Sequence, residues 1–79
     1  MGDQMLKPTM REMFIFNMKT MRKAQKLTQA TFAEMLDVNP KMVGAWEEHR
    51  SFPSIETLII ISDLFKKDLR DMLTKKLYE

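Results

Sequence analysis

Two helix starts stand close together in the middle of this chain, and no other feature constrains its fold as much. Thr28 precedes Gln29, and Asn39 precedes Pro40. Threonine and asparagine both cap helices well, because a side-chain oxygen accepts from a free N–H of the first turn. Proline suits the first helical position, where its missing N–H is not needed. The second start leaves the first of these helices room only for Gln29 to about Leu36, burying Phe32, Ala33 and Leu36. Asp37 and Val38 then form a short turn. The helix from Pro40 is expected to end near Glu47, with Val43 and Trp46 inward. Two short helices joined so tightly must cross steeply.

The rest of the chain supplies three more helices. Thr9 and Glu12 have the spacing of a capping box, which predicts a helix from Met10 to about Gln25. Its apolar stripe is Phe14, Met18 and Met21. Ile15 and Phe16 fall off that stripe. They are expected either beneath the N-terminal extension or the last helix, or at a subunit contact. Ser54 caps a helix from Ile55 to about Lys66, with Leu58, Ile61, Leu64 and Phe65 inward. Asp68 caps another from Leu69 to about Lys76, burying Leu69, Met72 and Leu73. The expected fold is all-α with five helices. Residues 1–8 read as a flexible N-terminal extension and residues 9–79 as one domain. Only two Gly and three Pro are present, which fits few tight turns.

Several classes of function are disfavoured by what these 79 residues contain. There is no Cys and one His, so neither a Cys-based zinc site nor a His pair can be built, and no cofactor is expected. A Cys nucleophile, a Gly-rich phosphate loop and a triad are all missing, so the chain does not read as an enzyme. No small-molecule ligand is evident. No secretory signal and no apolar run of membrane-spanning length occur, so a cytoplasmic protein without a membrane partner is expected. The net charge of +2, from 13 basic and 11 acidic residues, is too mild to argue for nucleic acid by itself. Nine Met residues read as core fillers in place of Leu, since Met18 and Met21 lie on the core stripe.

The tight pair of short helices is the helix-turn-helix arrangement, whose second helix is narrow enough to enter the DNA major groove. The residues from Leu27 to Asn39 (LTQATFAEMLDVN), from Met42 to Glu47 (MVGAWE), from Pro53 to Leu58 (PSIETL) and from Asp63 to Phe65 extend the pattern. Together they resemble the lambda-repressor-like, or XRE-type, helix-turn-helix domains, without a gap from about Met18 to Leu73. The resemblance implies a five-helix DNA-binding domain. It places Pro40, Lys41, Gly44 and Ala45 toward base edges, with Met42 near the groove edge. It makes Arg22 and Glu47 a salt bridge between the first and third helices, and Thr28 and Gln29 a phosphate clamp. A helix N-terminus favours an anion on physical grounds as well, through its free N–H groups and its dipole. Asn39, Arg50, Ser51 and Lys23 are the further phosphate-binding candidates.

Relatives usually carry Gly where this chain has Lys26, Asp37, His49 and Lys66, so His49 reads as a turn residue rather than a ligand or base. Ile60 also departs from the pattern, standing where many relatives are polar. With Ile59 it makes the fourth helix apolar around most of its girth, and exposed apolar surface on a small protein usually marks an interface. Ile59, Ile60, Leu77 and Tyr78 are therefore the candidate dimer interface. The expected function is a sequence-specific double-stranded DNA-binding transcriptional regulator. It would act as a repressor on a pseudo-palindromic operator as a homodimer. The alternative is an antitoxin or other protein-interaction module on the same fold, with a toxin or another protein as partner.

Overall fold

A computed structural model describes residues 7–77. Five helices follow one another: α1, Met10–Ala24; α2, Gln29–Leu36; α3, Pro40–Glu47; α4, Ile55–Leu64; and α5, Leu69–Thr74. No strand occurs among the described residues. Every helix starts where its cap predicts. The Thr9–Glu12 capping box is closed by two bonds, Glu12 N–H to Thr9 Oγ1 at 3.0 Å and Thr9 N–H to Glu12 Oε1 at 2.9 Å. Thr28 accepts from Thr31 N–H at 3.0 Å, Asn39 from Lys41 N–H at 2.8 Å, Ser54 from Thr57 N–H at 3.2 Å and Asp68 from Asp71 N–H at 3.1 Å.

Helix ends depart slightly from expectation, with α1, α4 and α5 each one or two residues shorter. For α1 and α4 the cause is how each helix terminates. After each of α1 to α4 one residue turns left-handed: Lys26, Asp37, His49 and Lys66, with φ of 60°, 58°, 62° and 57°. Beyond each, a backbone N–H reaches back five residues. Leu27 bonds Arg22 O at 3.1 Å, Val38 bonds Ala33 O at 3.0 Å, Arg50 bonds Ala45 O at 2.8 Å and Lys67 bonds Ser62 O at 2.9 Å. This is the Schellman closure, which satisfies otherwise orphaned carbonyls and usually employs glycine. A left-handed conformation costs an L-residue about 1–2 kcal/mol, partly offset because glycine loses more entropy on folding. Lys26→Gly combined with Lys66→Gly is therefore expected to stabilise the domain by about 1–2 kcal/mol in urea unfolding. Unchanged midpoints would show that these turns are not strained.

All five helices contribute to one core. Phe14, Ile15, Met18 and Met21 come from α1, Phe32, Ala33 and Leu36 from α2, and Val43 and Trp46 from α3. Leu58, Ile61, Phe65 and Met72 complete it. Phe32 stacks on Phe65 with centroids 5.6 Å apart, and Phe52 meets Phe14 edge-on at 6.1 Å. The indole Nε1 of Trp46 is buried without a hydrogen-bond partner, consistent with Trp46 acting as an apolar anchor.

Ile15 is buried, because α5 packs along α1 and widens the covered face beyond the simple stripe. It is therefore no subunit contact, whereas Phe16 remains 41% exposed, with Lys76 Nζ 5.4 Å from its ring centroid. Leu77, expected at a dimer interface, instead packs half-buried against this domain's own core, and its N–H donates to Asn17 Oδ1 at 2.9 Å. Chain connectivity explains the change: α5 ends early enough for residue 77 to fold back onto α1. Tyr78 and most of the expected extension at residues 1–8 lie outside the described residues.

Candidate nucleic-acid interface

The packing of α2 against α3 is held by a charged network as well as by apolar contacts. Arg22 Nε donates to Glu47 Oε2 at 2.8 Å and Arg22 Nη2 to Glu47 Oε1 at 3.1 Å, a two-pronged bond between α1 and α3. Both side chains are almost fully buried. Arg22 Nη1 also donates to Leu27 O, which fixes the loop that leads into α2. Gln29, the first residue of α2, donates from Nε2 to Glu47 Oε1 at 2.9 Å. One carboxylate thus ties three helices together. The guanidinium fork suits it because its planar geometry matches a carboxylate with two parallel bonds.

This anchoring leaves the outer side of α3 free. Pro40, Lys41 and Met42 are exposed there, and Gly44 is half-buried. Residues spaced three and four apart share a helix face, so Pro40, Lys41 and Gly44 lie along one side. Ala45 does not join them as expected. It is only 9% exposed, because the chain turns back against this last turn of α3, with the N–H groups of Arg50 and Ser51 both reaching Ala45 O. The exposed face of α2 runs on past Ala30, Thr31 and Glu34 into a shallow groove that continues along Asp37, Val38 and Pro40. Met35, which sequence reasoning did not single out, is 47% exposed on α2, and Met42 is 42% exposed on α3.

The phosphate-binding candidates fare unevenly. Thr28 serves as the α2 cap, and capping is compatible with an anion at the same helix end. Asn39 spends its Oδ1 on capping α3. Gln29 gives one Nε2 hydrogen to Glu47. Lys23 and Ser51 are exposed. Arg50 pairs with Glu48 at 2.9 Å with both side chains largely in water, where such a pair exchanges readily with other partners. The bond from Gln29 to Glu47 was not legible beforehand; the only clue was two polar residues at helix ends that the fold brings together. Among the described residues no group of three or more His, Cys, Asp or Glu is placed to hold a metal ion, and no helix is long and apolar enough to cross a membrane.

Residues 18–72 match the family model described as helix-turn-helix. The chain belongs to the helix-turn-helix family. Its members of this lambda-repressor-like, XRE type are DNA-binding regulators and generally not enzymes. A solved structure with the same fold is that of an SOS-response transcriptional repressor, LexA, from Eubacterium rectale. It is 19% identical, with a TM-score of 0.78, over 92% of this chain and 78% of that one. No curated protein sequence matches the chain. The helix-turn-helix itself corresponds to α2 and α3, the two helices held by Arg22, Glu47 and Gln29.

Proposed function

We propose that the chain is a sequence-specific double-stranded DNA-binding transcriptional regulator, a repressor, that seats α3 in the major groove. The observation that carries this reading is the geometry of α3. A buried ion pair locks its inner side, while Pro40, Lys41 and Met42 stand exposed on its outer side. Lys41 is the strongest donor on that face and suits guanine O6 or N7. Phosphates would be met by the α2 N-terminus at Thr28 and Gln29, and by Lys23, Arg50 and Ser51, with Asn39 beside them at the start of α3. A homodimer places two such helices about one DNA turn apart on a pseudo-palindrome. Ile59 and Ile60, 46% and 48% exposed on α4 beside Ile55 at 69%, support an interface there. A cytoplasmic location goes with this reading.

A selection from random double-stranded DNA, run at two salt concentrations, tests the reading. The expected result is an enriched pseudo-palindrome whose affinity falls steeply with salt, by a log–log slope of about −0.9 for each phosphate neutralised. Lys41→Ala is expected to relax preference at one position in each half-site, a loss of about 1–3 kcal/mol against the preferred base. Identical enriched sequences for parent and variant would remove Lys41 from the reading role. The absence of any enriched sequence would favour the second reading, a protein-interaction module such as an antitoxin. Exposed Met35 and Met42 on the outer sides of α2 and α3 favour that alternative, because flexible methionines suit protein surfaces.

A further inference from the structure

The chain's two glycines are Gly2 and Gly44, and Gly44 stands where the fold has no use for one. Four turns adopt left-handed backbone that favours glycine, and those positions hold Lys26, Asp37, His49 and Lys66 instead. Gly44 lies inside α3 with ordinary negative φ, where glycine weakens a helix relative to alanine. Space does not demand it either. A Cβ on Gly44 would meet only the tip of the Gln29 side chain, Oε1, at 3.5 Å, an ordinary van der Waals contact. Neither backbone conformation nor packing within the described residues accounts for the glycine.

Its neighbour indicates what does. Gln29 is oriented by Glu47, an ionised carboxylate that only accepts hydrogen bonds, so the Nε2 end of the amide must turn toward it. Glu47 is itself held by the two bonds from Arg22. The amide cannot flip without facing oxygen to oxygen. Oε1 is therefore the end presented beside Gly44. We propose that Gly44 and Gln29 Oε1 form a single-polarity reading notch that accepts a hydrogen bond from the exocyclic amino group of a base in the major groove, the N6 amine of adenine or the N4 amine of cytosine. These are the two amino donors the major groove displays. A donor nitrogen must come to about 2.9 Å of Oε1. A methyl group on residue 44 would stand in that approach. The inference rests on the reading that α3 enters the major groove.

The test uses the site enriched from random double-stranded DNA, with the parent chain and the variants Gly44→Ala and Gln29→Met. Gly44→Ala is expected to raise the melting temperature by about 4–8 °C while weakening binding to the enriched site about tenfold. That combination separates a recognition role from a folding role. Duplexes are then prepared with purine replacing adenine, or 2-pyrimidinone replacing cytosine, one position at a time, which deletes the amino group. At one position per half-site the parent is expected to lose about tenfold, whereas both variants lose less than twofold there. Full-strength binding by Gly44→Ala, or equal losses for parent and variants at every position, overturns the notch and leaves the DNA reading standing. Failure of the parent to enrich any sequence overturns both.

Discussion

Glu47→Ala is expected to destabilise the domain by about 3–5 kcal/mol, the range for breaking a buried ion pair from one side. The Glu47 carboxylate receives Arg22 Nε, Arg22 Nη2 and Gln29 Nε2. Removing it strands the Arg22 guanidinium, whose side chain is 8% exposed, with only Leu27 O left as a partner. An uncompensated charge held largely out of water costs far more than the pair itself contributes, because its desolvation is no longer offset by an opposite charge. The loss is a large part of what a small domain has in total. Urea unfolding with circular dichroism measures it as a shift in midpoint. The double variant Arg22→Met with Glu47→Leu is expected to lose much less, because both charges leave together and the volume is kept. If Glu47→Ala costs under 1 kcal/mol, or the double variant costs as much as the single, the pair is not the latch between α1 and α3. The same double variant is expected to weaken DNA binding more than stability, since Gln29 would lose the partner that orients it.

Local signals are legible in this chain's own residues, and long-range ones only where the resemblance carries them. Thr9, Thr28, Asn39, Ser54 and Asp68 each start a helix, because a cap depends only on residues two or three positions away. The four left-handed turns could be placed for a similar reason: each follows a helix end directly, and the resemblance marked them as glycine positions. The Arg22–Glu47 pair was also anticipated, although only from the resemblance, since nothing local joins residues 25 positions apart. The placements that local pattern leaves open share a cause. The resemblance implies an outward Ala45, yet the turn that follows α3 closes over it. Ile15 lies off the stripe drawn for a single packing partner, and of the alternatives open for it the cover by the last helix holds, since α1 packs against both α3 and α5. Leu77 packs against its own domain because the path of the chain after α5, which its own residues do not dictate, brings it back to α1. That path is set from α1, by a polar side chain that no motif or periodicity marks.

That side chain is Asn17, and its removal is the second large expected effect. Asn17 is completely buried in the middle of α1. Its Nδ2 donates to Met72 O at 2.9 Å and to Lys75 O at 2.7 Å, and its Oδ1 accepts from Leu77 N–H at 2.9 Å. An amide offers two donors and two acceptor sites, so three of its four are in use. The helix α5 is short and ends without a left-handed turn, so its carbonyls lack the closure that α1 to α4 possess. Asn17 replaces that closure from across the core. Asn17→Leu keeps the approximate volume but leaves the buried Met72 O unpaired and frees residues 75–77, for an expected loss of about 2–4 kcal/mol. Asn17→Asp is a stricter comparison, since it keeps the shape and the acceptor while replacing the donor with an oxygen that faces two carbonyls. It is expected to lose at least as much at neutral pH. Hydrogen exchange gives the local readout: the Leu77 amide should lose protection in Asn17→Leu, while amides in α2 and α3 fall only with global stability. If Asn17→Asp unfolds at the parent's midpoint, the donor is dispensable and the closure of α5 does not depend on α1. If Leu77 stays protected in Asn17→Leu, apolar packing of Leu77 alone holds the end of the chain in place.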